Sequence, residues 1–330
     1  MLDVVGKRSW YFLFSALIIL PGLIFMIIPP GWLSGDSGLK PGIDFTSGSV
    51  LNVEFIHDVT EDQIRERLDE LGHPEALIQK LGSRGFLIRM TQLQEAIGGA
   101  PSERELIERD LEKFLGLDRT KVEFASVSPI IANETVRNAF LAIAAASVFI
   151  LLYVWYAFRR VPKSYRYGVS AILALVHDVF FVLGVFSILG KVMDMEVNSM
   201  FIVGILIVAG YSVNDTIVVF DRIRENVIRH PDRPLDGLVN MSIMDTVGRS
   251  LNTSFTTLFV LLAMLLIGGP SIRGLLLVVA IGTVIGTYSS IFIASQFIVM
   301  WDRGEVGRLL RPWRWGSTAA ASGLFHLLGR

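Results

Sequence analysis

The chain has no cysteine. That excludes disulfides, thiolate chemistry and any sulfur-based metal site. Its histidines do not replace that chemistry: His57 and His73 fall in one polar region, His177 in an apolar run, and His230 and His326 in polar or terminal segments. No His/Glu set has metal-ligand spacing. Charge is also scarce, at 18% of residues against 52% hydrophobic. With a mean hydropathy of +0.54, that balance belongs to a polytopic membrane protein carrying one soluble domain. There is no nucleophile–base set and no phosphate loop, so nothing supports an enzyme. No basic stripe with interleaved aromatics points to nucleic acid.

The chain does have six long apolar runs, at about 10–29, 138–158, 167–190, 197–220, 250–268 and 274–301. Each is long enough to cross a bilayer as a helix. The first follows Lys7 and Arg8, as a signal peptide would. It is too long for one and ends in Pro29-Pro30-Gly31 without a small-x-small cleavage site, so it reads as an uncleaved first span. The expected organisation is residues 1–29 as N-terminus and first span, 30–137 as a soluble domain, 138–301 as a five-helix bundle and 302–330 as a basic tail.

Orientation follows from Lys and Arg in the short loops. Arg159, Arg160, Lys163 and Arg166 lie between spans two and three. Arg222, Arg224, Arg229 and Arg233 lie between four and five, and Arg303, Arg308, Arg311 and Arg314 follow span six. The opposite short loops hold only Lys191 and Arg273. Both termini are expected in the cytoplasm and residues 30–137 outside it. Trp313 and Trp315 in the basic tail suit a membrane surface.

The soluble region reads as β-α-β-β-α-β. Val50 to Phe55 alternates with period two, as a half-buried strand does. Thr60-Glu61-Asp62-Gln63 is a capping-box pattern that opens a helix to about Leu71. Strands follow at about Ala76–Leu81 and Phe86–Thr91, joined by the turn Gly82-Ser83-Arg84-Gly85. A second helix starts at Ser102, and Lys121–Val127 is the last strand. This order is the split βαβ, ferredoxin-like pattern. The loop between spans four and five is expected to continue span four, break at Pro231 and Pro234, and resume as an interfacial helix from Asp236.

Three polar clusters interrupt the apolar runs: Asn214 and Asp215 in span four, His177 and Asp178 in span three, and Arg249, Ser250, Asn252, Thr253, Ser254, Thr256 and Thr257 at the start of span five. A carboxylate inside a membrane span costs roughly 2.5–3.5 kcal/mol on insertion scales and by default marks an ion or proton site. At about 1.5 Å per residue, Asp215 falls in the cytoplasmic half of span four and Arg249 at a similar depth in span five, so the two are expected to pair. An Arg that approaches and withdraws would make such an acid release and bind a proton in turn. Plainer readings stand beside this one. His177 also suits a bond to helix backbone, the Ser/Thr face suits helix packing, and Arg249 suits snorkelling to the surface. Gly282 and Gly286 form a GxxxG, common wherever membrane helices pack.

These residues carry a resemblance. Gly42-Ile43-Asp44-Phe45-Thr46, Val176-His177-Asp178, the stretch Gly210-Tyr211-Ser212-Val213-Asn214-Asp215-Thr216 running on to Asn226, and Ser250-Leu251-Asn252-Thr253-Ser254 resemble motifs of the SecF family of protein-export membrane subunits. That family is related to the resistance-nodulation-division transporters. One departure is visible: Ser47-Gly48 stands where the family usually has Gly-Gly. The resemblance implies a bacterial cytoplasmic membrane protein that pairs with the homologous six-helix SecD and associates with the SecYEG channel. It implies use of the proton-motive force, with no bound cofactor, to help draw unfolded preproteins outward. Residue by residue, it implies that Asp215 carries protons and Arg249 is its charge partner. Asp178 and His177 match a motif of undefined role. Gly42, Asp44 and Gly48 belong to the joint between first span and soluble domain, where Asp44 is expected to cap or fix the joint. Two other readings stay open: a scaffold that stabilises SecD without moving protons, and one half of a small-molecule exporter. The exporters usually carry two such halves with larger outer domains in one chain.

Overall fold

The structure is a computed structural model and describes residues 3–27, 38–96, 101–193 and 195–306. The segment around Pro29-Pro30-Gly31 and the tail with Trp313 and Trp315 lie outside the described residues. In chain order the elements are α1 (Arg8–Ile27), β1 (Lys40–Pro41), α2 (Ile43–Thr46), β2 (Gly48–Glu54), α3 (Glu61–Glu70), β3 (Leu77–Leu81), β4 (Gly85–Met90), α4 (Glu103–Leu115), β5 (Glu123–Val127), α5 (Pro129–Ala157), α6 (Tyr165–Met193), β6 (Glu196–Val197), α7 (Ser199–Arg229), α8 (Leu235–Ile267), α9 (Pro270–Ser289) and α10 (Ser295–Asp302). A single π-helical turn, Ser290–Ala294, joins α9 to α10. The chain divides into two compact units, one of residues 39–142 and 192–202, the other of the remainder.

The smaller unit is built on an antiparallel sheet of order β3-β4-β2-β5. Alternation decides which face is buried. Leu51, Val53 and Phe55 from β2 and its end meet Phe86 and Ile88 from β4, and all five are almost wholly buried. Ile64 and Leu68 of α3 and Ile107 and Leu111 of α4 cover that face. Their spacing of four puts each pair on one side of its helix. Thr60 caps α3 as its sequence pattern requires: its hydroxyl accepts from Gln63 N, and Gln63 Oε1 accepts from Thr60 N at 3.0 Å. Arg67 then ties α3 to α4 through two 2.9 Å bonds to Asp110, with its guanidinium 3.9 Å from the Phe114 ring centre.

A second, two-stranded sheet in this unit is invisible to periodicity. β1 pairs in parallel with β6, from far along the chain. Gly42 N donates to Val197 O at 2.7 Å. Arg89 bonds the Pro41 carbonyl and forms an ion pair with Glu196. Asp44 Oδ2 accepts from Ser199 N at 2.7 Å, so a side chain from the joint motif satisfies an orphan donor at the start of α7. Gly48 has φ 117 and its missing Cβ would lie 2.7 Å from Met90 O. Ser47 is held at φ 63, ψ 174, a region that only glycine enters readily.

Among the described residues six helices are long and apolar enough to cross a membrane: α1, α5, α6, α7, α8 and the α9–α10 pair, all in the larger unit except the first part of α5, the last residues of α6 and the first residues of α7. They make the chain a polytopic helical membrane protein. α6, α7 and α9–α10 are the most enclosed, whereas α1, α5 and α8 show most of their surface. Val154, Phe158, Tyr167, Phe220 and Ile223 form the largest cluster of fully packed side chains, with Phe158 and Tyr167 stacked at 5.3 Å. Small residues let the central helices approach. A Cβ on Gly22 would lie 2.2 Å from Gly184 Cα, one on Gly282 2.0 Å from Val208, and one on Gly286 2.9 Å from Ser212.

Two helices are longer than the apolar runs alone suggest. α5 begins at Pro129, because a proline is tolerated in the first turn and Asn133, Glu134 and Arg137 extend the helix before its apolar part. The separate interfacial helix expected from Asp236 does not exist as such. The chain turns at 230–234 and then runs as one uninterrupted helix to Ile267. No proline intervenes, and the hydroxyls of Ser242 and Thr246 bond back to Leu238 O and Ser242 O at 2.7 and 2.8 Å.

Two pairs of substitutions test these constraints. Gly22→Ala should lower stability by about 1–3 kcal/mol through overpacking against Gly184, while Gly274→Ala, whose Cβ meets open space, should not. Thermal unfolding in detergent compares them. Ser47→Gly should gain about 1 kcal/mol by releasing backbone strain, less the entropy glycine costs. Ser47→Ala, which keeps the strain, should show no gain in the same assay.

Candidate functional site

Asp178 of α6 is fully buried, and three side chains hold it. Its Oδ2 accepts from Ser212 Oγ of α7 at 2.5 Å and from Ser289 Oγ of α9 at 2.8 Å. Its Oδ1 lies 3.0 Å from His177 Nδ1. His177 Nε2 is 2.8 Å from Ser15 Oγ of α1. A His177 protonated on Nδ1 would donate to the carboxylate and accept from Ser15, so one tautomer serves both contacts. Beyond Ser15 stands Tyr288, whose hydroxyl donates to Tyr11 O at 2.8 Å. The chain of contacts therefore links α1, α6, α7 and α9 around one carboxyl group.

The next layer runs through hydroxyls. Thr216 Oγ1 lies 2.8 Å from Ser290 Oγ, which also bonds Gly286 O at 2.8 Å and Ser212 O at 3.2 Å. Ser254 of α8 bonds Thr287 and accepts from the Tyr211 hydroxyl at 3.2 Å. The π-helical turn starts at Ser290, and Ser295 Oγ returns to Ser290 O at 3.0 Å. Such single π-turns recur at functional positions in membrane and soluble helices alike.

Asp215 is placed differently. It is buried, with 6% exposure, and the hydroxyls of Ser250 and Thr287 flank it. Yet among the described residues neither its Oδ2 nor Ser250 Oγ makes a hydrogen bond of good geometry. The expected ion pair with Arg249 is not formed. Arg249 points outward and acts on Asp215 only at longer range. The reason is geometric: Ser250, the next residue along α8, takes the buried position. Arg249 shares its outer face with Asn252, Thr253 and Thr256, all exposed. The two threonines bond back to carbonyls of their own helix. Asn214 is also exposed, on α7. The sequence-predicted residues thus separate into two sets: His177 and Asp178 in a closed network, and Arg249, Asn252, Thr253, Thr256 and Asn214 on open surface, with Asp215 at the boundary.

Sequence reasoning passed over the last span. Ser289, Ser290, Thr287 and Tyr288 complete the network, and Gln296 is wholly buried with neither side-chain end partnered among the described residues. The run Thr287-Tyr288-Ser289-Ser290 carried the signal: four polar groups in succession within a span, where each needs a partner. Among the described residues no cluster of three metal-ligating side chains exists.

An all-helical membrane bundle with a hydrogen-bonded polar seam through its most enclosed helices defines an integral membrane protein of the transport type. Its relatives are specific. A family model described as protein export membrane protein SecD/SecF, C-terminal, matches residues 107–304. The protein translocase subunit SecF of Thermobaculum terrenum is 39% identical over 321 residues, covering 94% of this chain and 97% of the relative. The protein translocase subunit SecDF of Bacillus subtilis is 31% identical over 313 residues, covering 92% of this chain and 38% of that one. The crystal structure of SecDF from Thermus thermophilus superposes with a TM-score of 0.76 at 33% identity, covering 92% of this chain and 39% of that chain. The chain therefore spans less than half the length of the SecDF proteins it matches. It belongs to the SecD/SecF family of protein export membrane proteins.

The contrast between the two acids is measurable. Asp178→Ala strands three side-chain partners and should cost about 3 kcal/mol or more. Asp215→Ala removes a group whose Oδ2 already lacks a hydrogen bond of good geometry among the described residues and should cost less than about half of that. Thermal or denaturant unfolding in detergent ranks them, and equal losses would mean that Asp215 is held as firmly as Asp178.

Proposed function

We propose that this chain is an auxiliary subunit of the Sec translocase. In this reading it works beside a SecD partner and uses the proton-motive force, without a bound cofactor, in late steps of preprotein export through the SecYEG channel. The observation that carries the proposal is Asp215: a carboxyl group inside a membrane span, enclosed but incompletely partnered, one helix away from an outward-facing Arg249. Such a group is free to change protonation when its surroundings move, which a fully bonded one is not.

The open stripe on α8 supports a partner. Arg249 and Asn252 make no side-chain hydrogen bond among the described residues, and an arginine facing acyl chains is costly. A neighbouring helix or a hydrated path beside α8 removes that cost. The fused SecDF relatives, most of whose length lies outside the match, fit a second helical half in that place.

The orientation proposed has both termini in the cytoplasm and residues 30–137 outside it, within a multi-pass bacterial cytoplasmic membrane protein. An even number of spans supports this, as do the bonds of Arg8 to Glu305 and of Val4 N to Asn240 Oδ1, which set residues before the first span beside the end of the last span and the start of α8. Residues 30–137 are proposed as a ferredoxin-like domain, 138–301 as the bundle and 302–330 as a tail. The element order β-α-β-β-α-β and the sheet order β3-β4-β2-β5 support the first assignment. Asp44 is proposed to cap or fix the joint that follows the first span, and its bond to Ser199 N supports this.

Proton flux in vesicles holding this chain, its SecD partner and an unfolded export substrate tests the reading. Asp215→Asn should abolish substrate-dependent flux and slow export while co-purification with SecD stays intact. Normal flux in that variant moves the proton path into the partner and leaves this chain as scaffold.

A further inference from the structure

The larger unit contains a cavity of about 240 Å³ that the polar seam does not use. It lies where four helix ends meet: the start of α6, the end of α7, the start of α8 and the end of α10. Its floor is apolar, with Tyr167, Leu238 and Ile298 each less than 5% exposed. Its rim is basic, formed by Lys163, Arg166, His230 and Arg233. Asp302 is the one acidic residue lining it.

The cations are not consumed by the fold. Among the described residues Lys163, His230 and Arg233 have no ion-pair partner. Arg166 is held only loosely, 3.6 Å from Asp302, and its Nε is buried with no hydrogen-bond partner. A buried guanidinium N–H without an acceptor costs free energy and calls for one. Lys163 is itself held at φ 57, uncommon for a side chain of that size and worth a functional explanation.

Scattered basic residues at the ends of membrane spans need no ligand, since topology alone places them there. A half-open pocket with an apolar floor, a basic rim and an unsatisfied buried donor is a different thing. We propose that this cavity binds a phosphate group, with the apolar floor receiving whatever the phosphate carries. A guanidinium presents a fork matched to phosphate oxygens. Two sources share the chemistry: the headgroup of an anionic phospholipid at the membrane surface, and a free phosphate. Arg166 supplies the directed bond, and Lys163 and Arg233 supply charge.

Native mass spectrometry of the full chain, purified in a zwitterionic detergent, tests this with dioleoylphosphatidylglycerol and dioleoylphosphatidylcholine as probes. The variant Lys163→Gln/Arg233→Gln leaves the Arg166–Asp302 contact intact, so its fold is preserved. Arg159→Gln/Arg160→Gln removes the same charge outside the cavity. The expected result is preferential retention of phosphatidylglycerol that falls at least about tenfold in the cavity variant, each surface cation contributing roughly a fivefold factor, and is unchanged in the control. If millimolar inorganic phosphate displaces the lipid, the site takes the free anion as well. If it does not, the site is specific for the lipid. Equal retention of both lipids by the wild type, or equal losses in the two variants, overturns the proposal.

Discussion

A polar group in hydrocarbon has no water to turn to, and the bundle is arranged around that constraint at Asp178. Three partners from three helices must reach one carboxyl group. Ser212 and Ser289 have short side chains, so α6, α7 and α9 must approach closely. Gly286 makes that approach possible, since a Cβ there would lie 2.9 Å from Ser212, and Gly282 does the same one turn away against Val208. The glycines and serines are therefore not independent features. The glycines set the helix separation that lets the serines reach, and the serines make the buried acid tolerable.

The π-turn follows from the same demand. Ser289 must face α6 to reach Asp178, while Ser290 must face α7 to reach Thr216 and the Ser212 carbonyl. Neighbouring residues on a regular helix point about 100° apart and then fall into register with the next turn. Widening the helix at Ser290 lets Ile291, Ile293 and Ala294 stay packed beyond that point. Gln296 lies just past it, buried with neither polar end partnered among the described residues. Other buried polar atoms without a partner among the described residues lie on α1, α6, α7 and α8, so the unsatisfied polarity is spread through the bundle.

The six spans were legible because twenty apolar residues in a row carry their own meaning, and the strands because Leu51, Val53 and Phe55 alternate. The long-range pairs were not. Nothing in Lys40-Pro41 announces a partner at Glu196-Val197, since two residues have no periodicity to read. The placement of Arg249 failed for a related reason. Depth along a helix follows from counting residues, but the direction a side chain faces depends on which neighbours claim the adjoining positions. Ser250 takes the inward one. The Asp44 bond to Ser199 N lay behind a motif that named the residue without naming its partner 155 positions away.

The two membrane acids differ in how firmly they are held. Asp178 is held from three sides, so a change in its protonation would disturb α1, α7 and α9 together. That makes it a poor carrier and a good brace. Asp215 sits one turn beyond Tyr211 and Ser212 on α7, so it inherits the rigidity of the braced helix without sharing its bonds. Its hydroxyl neighbours come from α8 and α9, and α8 exposes most of its length. A shift of α8 therefore alters the surroundings of Asp215 while those of Asp178 stay fixed. Arg249 rides on the same helix, one residue from Ser250, so any such motion changes charge and hydrogen bonding at Asp215 at once. In the proposed reading, a rigid acid beside a responsive one would give the bundle a fixed reference against which a small helix movement becomes a change of protonation.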